Sequence, residues 1–204
     1  MLSLPSGVFC CADLVYGLIR TEGSMYKKVI QFPNKRLREK TKDVKDFSAI
    51  GSVIKDMVDT CNVEMAVGLA ANQIGYDRSI VVIDISKSGA QQELEGCEIN
   101  PNFFVICNPK LRADGEDKSW EEECLSLAGV TGKVIRKSSA TLQYQNEKGE
   151  QKELTAQWPF SGVLQHECDH LEGITFNFKM KKYPAQRMLK KLYKSRKIHS
   201  RGKK

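Results

Sequence analysis

The chain has 204 residues, a length that suits one domain with tails. Hydrophobic residues make up 41% and charged residues 28%, close to ordinary globular usage, so a core of normal size is expected without a metal or disulfide staple. The seven cysteines are an odd count with no secretory signal before them, which argues against a disulfide framework and for a reducing compartment where thiols can act as ligands. The formal charge is +7, and much of it sits at the end of the chain, where Lys179 to Lys204 contains no Asp or Glu.

Residues 1–24 contain apolar positions such as Leu14, Val15 and Leu18, but no basic start precedes them and Asp13 interrupts the run. Neither a secretory nor a mitochondrial leader fits, so a poorly ordered extension is expected, with Met25 as an alternative start. No stretch reaches the roughly 20 apolar residues of a membrane span. Tyr26–Phe32 alternates loosely and stops at Pro33-Asn34. From Phe47 to about Glu64, Ile50, Val53, Ile54, Met57, Val58 and Cys61 follow the helical rhythm and predict an amphipathic helix. The small residues and glycines of Val67–Gly75 permit close backbone approach.

Ser79–Ile85 is β-branched and reads as a buried strand, followed by a polar loop over Lys87–Gly96. A second strand, Phe103–Cys107, is expected to stop at Asn108-Pro109, with residues 112–123 as an acidic loop. Val134–Ile135 and Ala140–Tyr144 read as strand pieces, and Glu153–Ala156 returns after a turn at Asn146–Gly149. Pro159 and Ser161 can open a helix that Gly173 closes, with Val163, Leu164 and Leu171 on its apolar side. Pro184 starts a last helix with Met188, Leu189, Leu192 and Tyr193 as its stripe, and the tail after Arg196 is expected to be disordered. The order predicts an α+β fold: small mixed or antiparallel sheets around a central helix, then a C-terminal helix.

That central helix carries His166-Glu167-Cys168-Asp169-His170, the pattern H-E-x-x-H. Residues four apart share a helix face, so two imidazoles can hold one divalent ion while the Glu reaches its water as a base. By itself a five-residue pattern is a modest signal, and a helix with two surface histidines is an equal reading. Cys124 is the candidate third ligand; a thiolate with two imidazoles leaves the open position a catalytic site needs. A free Cys is more often a small buried hydrophobe. That reading suits Cys61 and Cys107, and Cys168 as well, since it points away from the ligand face.

Three motifs in fixed order then resemble the peptide deformylase family, whose patterns are G-x-G-Φ-A-A-x-Q, E-G-C-x-S and Q-H-E-x-D-H. Here they read Ala66-Val67-Gly68-Leu69-Ala70-Ala71-Asn72-Gln73, Glu122-Glu123-Cys124-Leu125-Ser126 and Gln165-His166-Glu167-Cys168-Asp169-His170. The resemblance covers about Tyr26 to Phe178. Ala66 and Glu123 depart from it, each standing where the family has Gly, and Glu123 puts a bulky carboxylate beside the candidate ligand.

The resemblance implies a metal-dependent amidase that removes the formyl group from N-formylmethionyl nascent peptides. Cys124, His166 and His170 would hold one divalent ion, iron(II) as the native metal, with zinc, nickel or cobalt able to substitute. Glu167 would carry the proton, and the Gln73 amide with the Leu125 N–H would stabilise the oxyanion. Gly68 would pair with the extended peptide, Val67 and Val163 would line the methionine pocket, and Arg136 would stand near the peptide path. Asp169 would orient a ligand imidazole or brace the fold. The domain is expected over residues 25–180, with residues 181–204 as a basic helix and tail suited to a ribosome. A monomer without membrane contact is expected, in the cytoplasm of a bacterium or phage-infected cell, or in an organelle. Two rival readings are another H-E-x-x-H metallohydrolase and a catalytically weakened relative that binds peptide or ribosome.

Overall fold

In the computed structural model, which describes residues 26–90, 92 and 94–201, five strands form one antiparallel sheet in chain order. They are β1 (Gly68–Ala70), β2 (Ile80–Asp84), β3 (Phe103–Glu122), β4 (Gly132–Gln145) and β5 (Gln151–Gln157). Three helices accompany them: α1 (Gly51–Val63), α2 (Phe160–Leu171) and α3 (Lys182–Arg201). The α+β class is thus borne out, with a single sheet in place of several small ones. Residues 1–24, expected as an extension, lie outside the described residues, and so do Cys10 and Cys11. No helix among the described residues is long and apolar enough to cross a membrane.

Every residue of β2 is buried because both faces of the sheet are covered there. Side chains alternate across a strand, so Ile80 and Val82 face one way and Val81 and Ile83 the other. The first pair joins the α1 stripe of Ile50, Ile54, Met57, Val58 and Cys61. The second joins Phe160, Leu164 and Leu171 of α2. Helix α2 therefore lies against the sheet as the periodicity predicts, and it stops at Gly173, whose φ of +72° favours glycine.

Strand β3 overturns the expected stop at Asn108-Pro109 and the acidic loop after it. Asn108 adopts φ +50°, and a register shift between Cys107 and Lys110 lets the proline sit in a bulge without ending the ladder. The Asn108 side chain anchors that bulge, accepting from Val44 N at 2.7 Å and donating to Val44 O at 2.9 Å. The acidic residues belong to an exposed strand arm paired with β4, whose two expected pieces are one continuous strand. The β3–β4 ribbon carries at its tip the connection holding Cys124.

A third apolar cluster forms around that connection. Cys124, Leu127, Val130 and Val134 pack with Phe32, Leu37 and Phe176, and α3 adds Met188 and Leu192. The helix runs to Arg201, past the point where a disordered tail was expected. Tyr193 of the expected stripe is exposed, because only Met188, Leu189 and Leu192 face the cluster.

Candidate metal centre

Helix α2 puts its apolar residues into the core and an adjoining polar row, His166, Glu167 and His170, toward the ribbon tip. Cys124 enters from that tip, immediately before a short turn at Leu125–Leu127. Its sulfur lies 3.2 Å from His170 Nε2, and the two imidazole Nε2 atoms are 3.3 Å apart. All three donor atoms lie within 4.8 Å of one another. A tetrahedral ion with bonds of about 2.0–2.1 Å to nitrogen and about 2.3 Å to sulfur separates its donors by roughly 3.3–3.6 Å. The three side chains therefore fit a single divalent ion.

The rings are held by different means. His166 Nδ1 meets Glu122 Oε2 at 2.6 Å, which commits that nitrogen to donating and turns Nε2 toward the site. Burial opposes a charge on His166, yet the hydrogen bonds with Cys124 and Glu122 raise its pKa well above the usual range. Burial and the neighbouring His166 push His170 well below it, toward the neutral ligating form. Burial alone would also raise Glu122. Hydrogen bonds from His166 and Arg136 overcome this and hold its carboxyl down at about 2.

Glu167 has no such partners. Burial pushes its carboxyl up to about 7, and Oε2 is buried without a hydrogen-bond partner. A divalent cation at the three donors would draw that value down again. The carboxylate lies against β1. A Cβ on Gly68 would stand 2.7 Å from Glu167 Oε1, so glycine at that position makes room for the acid. Gln73, 2% exposed, has its amide orientation fixed: Oε1 accepts from Ala70 N at 2.9 Å. Nε2 must then face Cys124 Sγ at 3.5 Å and Ser126 Oγ at 3.3 Å. Leu125 opens the short turn after Cys124, so its N–H has no acceptor within that turn.

The structure thus brings Cys124, His166, His170, Glu167, Gln73, Leu125 and Gly68 together. Val67 is partly exposed next to Gly68, and Val163 lies half-buried one turn before Glu167 on α2. Arg136 is the exception. It was expected near the peptide path, but its side chain is 3% exposed and gripped by Glu122 and Asp169. A buried cation must be paired, and those carboxylates occupy it behind His166. Sequence reasoning had assigned no role to Glu122, although it opens the second motif. It also missed Asn72, whose Nδ2 donates to His170 O at 2.5 Å. Glu123, the departure in that motif, is exposed.

A family model described as polypeptide deformylase matches residues 26–186. The peptide deformylase of Aquifex aeolicus is 37% identical over 179 residues, covering 85% of this chain and 100% of the relative. That of Zymomonas mobilis is 36% identical over 172 residues, 83% of this chain and 94% of the relative. Among solved structures, a peptide deformylase from Legionella pneumophila superposes with a TM-score of 0.74 at 31% identity, covering 86% of this chain and 98% of that one. The Synechococcus elongatus peptide deformylase in complex with actinonin gives 0.70 at 27% identity, covering 81% and 85%.

Proposed function

The chain belongs to the polypeptide deformylase family, hydrolases that deformylate nascent peptides, and we propose how its own residues carry out that reaction. Cys124, His166 and His170 would hold one divalent ion; the observation that carries the reading is their three donor atoms converging beside Glu167. When bound, such an ion acidifies water and polarises a carbonyl oxygen as a Lewis acid. Iron(II) is the proposed native ion, with zinc, nickel or cobalt able to replace it, since thiolate and imidazole donors accept all four.

The peptide lies extended along β1. That strand pairs with β2 on one side only, so its other edge can receive a chain by main-chain hydrogen bonding, which favours no particular sequence. Gly68 presents its backbone there, while Val67 and Val163 form apolar walls for the methionine side chain. The Gln73 amide and the Leu125 N–H donate to the formyl oxygen as charge develops on it. Glu167 takes the proton from the attacking water and delivers it to the amine nitrogen as the C–N bond breaks. Formate and the peptide, its N-terminal methionine amine now free, leave. The buried, unpaired carboxylate of Glu167 suits an acid that must exchange a proton.

Formate release from formyl-Met peptides tests this reading. Turnover with iron or cobalt loaded anaerobically is expected, with no cleavage of the unformylated peptide. Cleavage of internal bonds instead would support the rival metalloprotease reading, and no reaction at all would support the inactive relative. Metal analysis of protein purified without oxygen tests the choice of iron.

The site is complete within one chain, which supports a monomer. Bacterial relatives and the free thiols of Cys61, Cys97, Cys107, Cys124 and Cys168 support a cytoplasmic setting. The catalytic unit is proposed as residues 25–180, and α3 is proposed to meet ribosomal RNA through exposed Arg187, Lys190, Lys191 and Lys194. Deleting α3 would also strip Met188 and Leu192 from the core, so charge reversal at Lys190 and Lys194 is the cleaner test. Unchanged pelleting with ribosomes would remove the idea.

A further inference from the structure

A chain of hydrogen bonds leaves His166 and returns to the same helix three residues later. His166 Nδ1 meets Glu122 Oε2 at 2.6 Å. Arg136 clamps both Glu122 oxygens, at 2.7 Å from Nε and 3.0 Å from Nη2. Its Nη1 then reaches Asp169 Oδ2 at 2.5 Å. Asp169 adjoins His170 in sequence, and Glu122 stands two residues before Cys124. The circuit therefore touches the backbone segment of every candidate metal ligand, and it ties the end of β3 to β4 and α2. Its remaining oxygen, Asp169 Oδ1, receives Lys179 Nζ at 3.1 Å, from the segment that leads into α3.

We propose that Asp169 is a positioning residue for the metal centre, fixing His166 through Arg136 and Glu122 while Lys179 ties the circuit to the entry of the C-terminal helix. The inference rests on reading Cys124, His166 and His170 as metal ligands. A carboxylate bonded to one imidazole alone can swing about its own side-chain torsions. The planar arginine fork removes that freedom for Glu122, because two parallel bonds define a plane. The fork itself can still tilt until its third nitrogen is held, and Asp169 holds it. Both ends of the circuit lie on one face of α2, so any rotation of the helix against the ribbon strains the two links that cross between them, His166 to Glu122 and Asp169 to Arg136. Partners of this kind behind a ligating imidazole set its orientation and the retention of its metal.

The test uses full-length protein loaded with cobalt(II), read by its visible absorption and by the rate of release to a chelator, with the unfolding midpoint of the metal-free protein measured alongside. Asp169→Asn keeps the shape and removes the charge. It is expected to release cobalt about 10–100-fold faster than the parent, with an altered absorption band. Arg136→Lys, which keeps the charge and loses the fork, should behave alike. Lys179→Met lies at the partly exposed end and should speed release several-fold; it carries the test if the buried variants do not fold. A purely structural role would lower the unfolding midpoint and leave the cobalt band and release rate at parental values, and that result overturns the proposal. If the parent protein itself takes up no cobalt, the metal-ligand reading fails and the positioning role falls with it.

Discussion

Replacing Gly68 with Ala displaces Glu167, the proposed proton carrier, without touching Cys124, His166 or His170. The added methyl would stand 2.7 Å from Glu167 Oε1 and 3.0 Å from both Cγ and Cδ. Ordinary contact begins near 3.4 Å, so the carboxylate must withdraw by about 0.7 Å. The obstacle is the end of a flexible side chain, and Gly68 lies in a strand without a positive φ. The fold should accommodate the change, and the lower entropy of an unfolded Ala offsets part of the crowding by about 0.4–1 kcal/mol. Catalysis should not accommodate it. A misplacement of about 1 Å can cost on the order of a hundredfold, so kcat/KM should fall roughly 10–100-fold, or about 1.4–2.7 kcal/mol of barrier. The loss should appear in kcat, with KM and bound metal unchanged, because β1 keeps its backbone and the three ligands are untouched. Steady-state formate release, metal content and a denaturant titration measure all three. A variant within twofold of the parent would show that Glu167 does not work from the place it occupies against β1.

Glu167→Gln should keep its metal and lose about 10²–10⁴-fold in kcat, the usual worth of a positioned acid–base group; near-normal turnover would refute that assignment. Gln73→Ala should raise the barrier by about 2.7–4 kcal/mol with little change in metal content. Glu123→Gly should reduce a preference for peptides with lysine rather than glutamate after the methionine, since it deletes an exposed carboxylate beside Cys124; identical preferences in both proteins would show that the residue faces away from the peptide. Chelation should abolish activity and lower the unfolding midpoint, because an ion bound only by the folded state stabilises it. Restoring cobalt should reverse both effects.

The placement of the motif residues was legible because each motif lies on an element that periodicity or turn chemistry already outlines. H-E-x-x-H falls on a helix bounded by Pro159 and Gly173, and that spacing dictates where two imidazoles point. The β3–β4 ribbon was not legible. Its arm is polar on both faces and exposed, so no apolar alternation marks it, and Asn108-Pro109 looks like a stop. Pairing with β4 overrides that signal, and a bulge absorbs the proline. The same gap hid the role of Arg136. Only the ribbon's register, with Lys118 opposite Arg136 and Glu122 opposite Gly132, brings residues 122 and 136 to one place behind α2. Charge pairs distant in sequence leave no local trace, and so the convergence of Cys124, His166 and His170 could be foreseen while the Glu122–Arg136–Asp169 contacts behind them could not.

Two carboxylates flank His166, and their environments drive them to opposite tasks. Glu122 accepts from the imidazole and from two nitrogens of Arg136, which keeps it ionised even though it is 4% exposed. It can hold the ring, but it has no reason to exchange a proton. Glu167 is equally buried at 6% exposed, yet it lies against a glycine and keeps one oxygen unpaired. Similar burial therefore gives one acid held at about 2 and another pushed up to about 7; the hydrogen-bond partners decide which is which. Exchanging the two roles would require moving Arg136 across α2, a change no single substitution can make.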